Sequence, residues 1–195
     1  NEAGNLIAPE NNFVINTSLP IENLNSSSWK LESDSIAQDF TAKVSEKNPF
    51  KILVNSSFKH TKKYVLTIPK ETVSSYYSSN DKSFQFQFEI DKPENYGSFT
   101  AVIKNKPTAK FWVELTNEKG EILYSQFTNA SEVSFKNLKP ATYIARIRVD
   151  NNGNGFWDEA DFAQNIAAED VYIFEKEINV RPLWEIKEDW ELINH

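Results

Sequence analysis

Phe84-Gln85-Phe86-Gln87-Phe88-Glu89-Ile90 is the stretch of sequence that decides the fold class. Apolar side chains occupy every second position of it, and polar side chains fill the positions between. A period of two puts alternate side chains on opposite faces of an extended strand, so the stretch predicts a half-buried antiparallel strand. Most of the chain's 14 Phe residues stand in short alternating runs, which favours β structure.

Similar runs lie on both sides of this stretch, separated by turn residues. They cover residues 13–15, 40–44, 50–54, 64–68, 98–104, 109–116, 121–128, 132–136 and 142–149. In the last of these runs Tyr143, Ala145, Ile147 and Val149 share one face. Short strands spaced at roughly 8–12 residues, with turns between them, predict β-sandwiches. Two sandwiches fit a chain of 195 residues.

Two segments interrupt the strand pattern and suggest the domain organisation. Residues 1–12 are polar with Gly and Pro, as expected of a linker. Residues 91–97, DKPENYG, break the alternation again and mark a boundary. We therefore expect an all-β chain of two consecutive antiparallel β-sandwich domains, covering residues 13–91 and 92–195 after the linker.

The overall charge and composition exclude several functional classes. The net charge is −7, and residues 91–195 hold 12 basic against 18 acidic side chains. An acidic chain without a basic stripe would be repelled by phosphates, so we expect no nucleic-acid partner. No run approaches the roughly 20 apolar residues of a membrane helix, so we expect no membrane insertion. Cysteine is absent, which excludes disulfides and thiolate sites.

The sharpest motif for a functional site is DNNGNGFWDEAD at residues 150–161. Its oxygen-bearing positions one, three, five, nine and twelve, with Gly at six, follow the ligand order of an EF-hand-type calcium loop. The candidate ligands are Asp150, Asn152, Asn154, the Phe156 carbonyl, Asp158 and Asp161. Alternate residues of a tight loop can point inward and surround a hard cation with oxygen. We expect a structural calcium ion here, bound at the weak, extracellular end of the affinity range because two early ligands are neutral.

The same residues allow a second interpretation, a hairpin loop without metal. Asn-Gly is a strong turn dipeptide, and it occurs here at Asn152 and again at Asn154. A bare turn does not require Asp at positions one, nine and twelve, however. Such a cluster of negative charge is repulsive unless a cation offsets it, which favours the metal.

No residue pattern predicts an enzyme. The chain has two histidines, His60 in a basic polar turn and His195 as the final residue, and neither offers a plausible general base. The sequence contains no Gly-x-Ser-x-Gly motif and no Gly-rich phosphate loop. We therefore expect a non-catalytic protein.

Two parts of the chain resemble known families. The region from Phe13 to Ile90, with SLPI at 18–21 and KYVLTI at 63–68, is similar to bacterial Ig-like domains of the SbsA type. The stretches NYGSFTAVI, FKNLKPATYIARIRVDNNGNGFWD and EINVRPLWEI resemble the prealbumin-like, carboxypeptidase regulatory-like module that follows such domains in Bacteroidetes surface lipoproteins. The resemblance implies an Ig-like sandwich followed by a prealbumin-like one. It also implies a place at the outer-membrane surface or in the periplasm, through an upstream lipid anchor, and no catalytic residues.

These observations leave two functional hypotheses. The first is a structural or interaction module pair of a cell-envelope lipoprotein, with other envelope proteins or glycans as partners. The second is a carbohydrate-binding accessory module of a surface glycan-utilisation protein, because exposed aromatic rings can stack on sugars. Four Trp residues concentrate in the second half of the chain, at Trp112, Trp157, Trp184 and Trp190.

Overall fold

The computed structural model describes residues 6–9, 12–160, 163–164 and 166–192. The chain divides into two compact units, Asn1–Pro93 and Glu94–His195. The described residues form β-strands and one short 3₁₀ turn at Pro93–Asn95, with no α-helix among them. The all-β prediction is therefore confirmed. In the same residues, no helix is long and apolar enough to cross a membrane.

The first unit consists of short strands around a mixed aliphatic and aromatic core. The strands are β1 (Leu6–Ile7), β2 (Phe13–Asn16), β3 (Asn23–Leu24), β4 (Lys30–Ser33), β5 (Ile36–Ala37), β6 (Phe40–Ser45), β7 (Asn48–Ser56), β8 (Lys63–Ile68), β9 (Val73–Ser74) and β10 (Phe84–Ile90). They form sheets in the orders β1-β10-β8-β4-β5, β2-β7-β6 and β3-β9.

The alternation at β10 shows how the sequence builds this unit. Phe88 and Ile90 are 3% and 1% exposed, whereas the polar residues between the apolar ones face away from the core. Phe13 on β2 stacks on Phe88 with 4.2 Å between ring centroids, so β10 and β2 share one core. Burial declines along the strand towards Phe84, which is 38% exposed. The apolar face of β10 therefore emerges from the core at its first residue.

The second unit has longer strands and a larger core. Its strands are β11 (Gly97–Lys104), β12 (Lys110–Thr116), β13 (Ile122–Thr128), β14 (Glu132–Leu138), β15 (Ala141–Asp150), β16 (Val171–Ile173), β17 (Ile178–Val180) and β18 (Glu185–Glu191). One sheet has the order β14-β11-β18, and the other the order β13-β12-β15-β16, with β17 also pairing β15. The odd-numbered residues 143–149 of β15 are buried, as the alternation predicts.

Two features of the strand arrangement differ from the sequence expectations. Within the segment expected to be a linker, Leu6 and Ile7 form β1, which pairs in parallel with the end of β10. The second parallel pair joins β11 to β18, from Ser98 opposite Glu185 to Lys104 opposite Glu191. The sheets are thus antiparallel except at these two pairs. Alternation along one strand carries no information about the direction of its neighbour, so the sequence pattern could not distinguish the two arrangements.

Candidate metal centre

The predicted metal loop begins at the last residue of β15. Asp150 follows the core residue Val149 and lies opposite Lys110 of β12. The alternation of β15 predicts that the Asp150 side chain points away from the core. Asp150 is nevertheless 3% exposed, since the chain beyond it folds back over its carboxylate. The ammonium of Lys110 lies over the ring of Phe127, 5.6 Å from its centroid. No ion pair joins these two described residues, Lys110 and Asp150.

Local hydrogen bonds hold the first half of the loop in a tight coil. The Asp150 Oδ2 accepts the Gly155 N–H at 3.0 Å. The Oδ1 atoms of Asn152 and Asn154 accept the N–H groups two residues further on, at 2.9 and 2.7 Å. Gly155 has φ of 83°, a left-handed conformation that suits glycine and permits the reversal. Side-chain oxygens at the first, third and fifth positions are therefore directed along the inside of one coil.

Asp158 closes this coil from the other side. Its Oδ2 accepts the Nδ2–H groups of Asn152 and Asn154, at 2.6 and 2.7 Å. The structure thus joins three of the predicted ligand side chains directly through one carboxylate oxygen. The Phe156 side chain is 71% exposed and only its carbonyl belongs to the predicted set. The sixth predicted ligand, Asp161, lies outside the described residues.

One oxygen of this arrangement is left without a hydrogen bond. The Asp150 Oδ1 is buried and has no partner in the described part of the chain. A buried carboxylate oxygen without a donor or a cation is unfavourable, because it has lost its hydration without replacement. A depression of about 470 Å³ lies beside it, lined by Lys110, Phe127 and residues 150–155 among others.

Glu169 holds the loop together, although no sequence pattern points to it. Its Oε1 accepts the N–H groups of Asn151 and Asn152 at 2.7 and 3.1 Å, and its Oε2 accepts the Asp158 N–H at 3.0 Å. Its backbone carbonyl accepts the Trp157 indole N–H at 3.1 Å. Glu169 lies 19 positions after Asp150 in a stretch without periodicity, so no spacing rule could have identified it.

The electrostatics of the loop favour a cation. Residues 150–170 contain six acidic side chains and neither Lys nor Arg. Among the described residues, no group of three or more His, Cys, Asp and Glu side chains is placed to hold a metal ion. Within the described residues the predicted set has two Asp, and its other ligands there are the amide oxygens of Asn152 and Asn154 and the Phe156 carbonyl. Of the histidines, His60 is exposed and His195 lies outside the described residues.

The Trp residues of the second unit divide between its core and its surface. Trp190 is 4% exposed and belongs to the core. Trp112 stacks on Phe127, with ring centroids 4.4 Å apart and planes 27° from parallel, on the outer face of β12 and β13. Trp157 lies beside the Arg148 guanidinium, 5.6 Å from its ring centroid. Trp184 is 49% exposed under the Arg181 guanidinium.

Comparison with known proteins identifies no family. No family model matches the chain, and no curated protein matches it. Among solved structures, the chain is similar to the Bacillus anthracis TIE protein, with 12% identity and a TM-score of 0.26. The similarity covers 88% of this chain and 33% of that one, so this chain spans about a third of the other's length. A likeness at this level assigns neither a family nor a function.

Proposed function

We propose that the chain is a non-catalytic structural and interaction module pair of the cell envelope, and that the loop after β15 holds a structural calcium ion. The main observation in support of the calcium site is that the buried Asp150 Oδ1 has no hydrogen-bond partner among the described residues. It belongs to a coil whose side-chain oxygens follow the order of a calcium loop.

The ligand side chains within the described residues each keep an electron pair for the ion. The Oδ1 atoms of Asn152 and Asn154 each accept one hydrogen bond, and a carbonyl-type oxygen has two lone pairs. The hydrogen bonds of Asp158 fall on Oδ2, which leaves its Oδ1 for the metal. All of these donors are oxygen, the ligand that hard cations prefer. The spacing favours calcium over magnesium, which demands stricter octahedral geometry.

The ion would organise a long irregular segment. Residues 151–170 connect β15 to β16 and contain no strand among their described residues. Loops of this length without regular structure are uncommon in compact domains unless something holds them. A calcium ion would do so by replacing repulsion among the acidic side chains with attraction. We expect the site to fill at calcium concentrations on the order of 10⁻⁴–10⁻³ M, as in extracellular modules, and a measured affinity in this range would support an extracytoplasmic location.

The experiment is a calorimetric titration of the chelator-treated full chain with calcium, paired with thermal melts. We expect binding heat and a higher Tm for the unsubstituted protein, and loss of both in Asp150→Asn and Asp158→Asn. The matched control is Asp189→Asn, because the Asp189 side chain is 71% exposed on β18, away from the loop. Absence of both heat and Tm shift in the unsubstituted protein would refute the calcium site.

The envelope location and the relation to surface lipoproteins remain part of this proposal. They rest on the resemblance of the two halves to Ig-like and prealbumin-like modules, and on the weak class of calcium site. Attachment through an upstream lipid anchor follows from the same resemblance. Detection of the full-length protein in the outer-membrane fraction, accessible to protease on intact cells, would test the location.

The second candidate, a carbohydrate-binding accessory module, is favoured by the stacked pair Trp112 and Phe127. Phe127 is 42% exposed on the outer face of the sheet, where an aromatic ring can contact a sugar. Affinity electrophoresis in gels containing soluble polysaccharides tests it. Retardation that Phe127→Ala abolishes and that Ile173→Ala preserves would support this function. Migration equal to that in a polysaccharide-free gel would refute it. Ile173 is a suitable control because it is an exposed apolar residue of the same sheet.

A further inference from the structure

The first unit contains an open pocket where the apolar face of β10 emerges from the core. The pocket has a volume of about 310 Å³. Its floor is formed by Ile15 and Ile52 from one sheet, and by Ile68, Phe84 and Phe86 from the other. These side chains belong to, or pack near, the core, but the two sheets do not close over them at this end. The pocket is thus an unfilled continuation of the hydrophobic core.

A rigid loop forms one wall of this pocket. The Asn80 side chain donates to the carbonyls of Pro69 and Lys82, at 2.8 and 2.9 Å, and accepts the N–H groups of Thr72 and Val73, at 3.0 and 2.9 Å. Both N–H groups and both carbonyl lone pairs of this amide are thereby used to fix the loop. A loop held in this way loses little conformational entropy when a partner binds.

The fixed loop presents two exposed aromatic side chains. Tyr76 and Tyr77 stand between the lining residues Ser75 and Ser78, in the sequence SSYYSS. Both are 82% exposed, and their rings meet edge to face with centroids 5.3 Å apart. Nothing in the packing of the unit accounts for two large rings in water. Tyrosines flanked by serines on a rigid loop are typical of surfaces that bind other proteins, because Tyr offers large contact area at a small entropic cost.

The lining of the pocket indicates the chemistry of its occupant. None of the 17 lining residues is charged, although 25% of the chain's residues are. The polar groups with assigned bonds point inward to their own loop: the Thr17 hydroxyl donates to the Leu19 carbonyl at 2.7 Å, and the Ser75 hydroxyl to the Ser78 carbonyl at 3.1 Å. The pocket therefore offers apolar surface and no ion pair, which fits an uncharged, apolar group.

We propose that this pocket receives an apolar side chain from a neutral segment of a partner protein, with Tyr76 and Tyr77 completing the contact around it. A sugar fits less well, because the two rings stand at 81° and form no flat platform on which it could stack. A free fatty acid fits less well, because no lysine or arginine lines the pocket to receive its carboxylate. Uncharged interface centres with aromatic residues around an anchor pocket are typical of protein–protein contacts.

The test is an NMR titration of the isotope-labelled full chain with N-acetyl-phenylalanine amide, a neutral mimic of one anchor residue. We expect a dissociation constant on the order of 1 mM, as suits so small a ligand. We also expect shifts in the backbone amides of residues 17–19, 21 and 73–80. Parallel titrations use N-acetyl-glycine amide, cellobiose and hexanoate. None of these compounds should shift the same amide signals as strongly as N-acetyl-phenylalanine amide does.

Two variants make the result specific. Tyr76→Ala with Tyr77→Ala should weaken binding of the phenylalanine amide by about threefold or more, because two exposed rings of the contact are lost. Ile36→Ala, which removes an apolar side chain that is 66% exposed at the β4–β5 hairpin, should leave binding unchanged. Thermal melts confirm that both variants fold.

Three outcomes would overturn the proposal. The first is the absence of shifts at a phenylalanine amide concentration ten times the expected dissociation constant. The second is stronger shifts with cellobiose or hexanoate. The third is equal binding of the phenylalanine amide by the unsubstituted protein and the double tyrosine variant. The metal loop lies in the other unit, so the calcium experiment and this one can succeed or fail separately.

Discussion

The carboxylate of Glu114 accepts the Nε–H of Arg146 from the neighbouring strand, with 2.7 Å between Oε2 and Nε. Its second oxygen accepts an Nη2–H of Arg148 at 2.5 Å. Glu114 lies on the outer face of β12, yet its side chain is 1% exposed, because the two arginines cross over it. The outer face of this sheet thus contains a buried carboxylate between two partly exposed guanidinium groups.

Removing the charge of Glu114 should destabilise the second unit. Glu114→Gln leaves two guanidinium groups close together without their shared anion. We expect a loss of about 3 kcal/mol in the free energy of unfolding, the lower end for a broken buried pair, since the arginines are about a quarter exposed. Urea denaturation measures it. Glu132→Gln, which breaks the exposed pair with Lys187, is the control and should change little. Equal effects of the two substitutions would show that the buried contacts of Glu114 with Arg146 and Arg148 do not stabilise the unit.

Glu169→Ala should loosen the loop after β15. Three backbone N–H groups, of Asn151, Asn152 and Asp158, lose their acceptor. We expect faster hydrogen exchange at these amides. We also expect a loss of about 1–2 kcal/mol in the free energy of unfolding, a moderate value because two of the three hydrogen bonds are exposed to water. Hydrogen exchange followed by NMR measures the first effect. Glu175→Ala, an exposed acidic residue beyond β16, is the control. Unchanged exchange at the three amides would show that Glu169 does not hold the loop.

Gly97→Ala should be among the most damaging small substitutions in the second unit. A Cβ at this position would lie 2.6 Å from the Arg181 carbonyl oxygen and 2.9 Å from that of Trp184. Both are backbone atoms and cannot rotate away, so we expect a loss of about 1–3 kcal/mol. Thermal or urea unfolding checks this. The comparison is Gly120→Asn, where φ is 79°, no atom lies near, and Asn tolerates the conformation. A Gly97→Ala variant as stable as Gly120→Asn would refute the close approach.

Tyr143 should make the second unit sensitive to alkaline pH. Burial raises the pKa of its phenol above the usual value, and the neighbouring Tyr124 adds to the shift. The phenol then ionises more easily in the unfolded chain, so the free energy of unfolding should fall as pH rises above about 10. Tyr143→Phe cannot ionise and should show a shallower fall. At neutral pH its free energy of unfolding should be about 1 kcal/mol lower, because the hydrogen bond from the Tyr143 hydroxyl to the Lys139 carbonyl is lost.

Urea unfolding between neutral pH and pH 11 provides the comparison. Tyr77→Phe is the matched control, because the same substitution there removes a hydroxyl from a residue that is 82% exposed rather than buried. Parallel curves for the unsubstituted protein and Tyr143→Phe above pH 10 would contradict the role of burial.

The strands with one buried face, such as β8, β10, β11 and β15, could be predicted from the sequence. The alternation in β10 and β15 is strict, and a period of two has no other common structural origin. The two-residue strands β1, β3, β5 and β9 had no comparable signal, since two residues cannot establish a period. The pairing of β1, β3 and β9 is decided by neighbours distant in sequence, such as Ser74 opposite Asn23, whereas β5 pairs with β4 in a tight hairpin.

The candidate sites were predictable to different degrees. Calcium ligands within one loop follow a spacing, so Asp150, Asn152, Asn154 and Asp158 could be selected from the sequence. Glu169 could not, because it reaches the loop from its far end. Glu114 stands at an outward position of β12, which alternation assigns to solvent. Its burial depends on Arg146 and Arg148 of another strand, and single-strand patterns contain no such information.

The pairing of β11 with β18 has a consequence for how the second unit folds. The strand that begins this unit receives one of its two neighbours only when residues 185–191 are available. Contacts between residues so distant in sequence slow folding, because a long loop must close before they form. During synthesis, the edge of β11 that pairs with β18 would stay unpaired until residues 185–191 leave the ribosome. An open strand edge can pair with other chains, so a chain truncated before residue 185 should aggregate more readily than the complete unit.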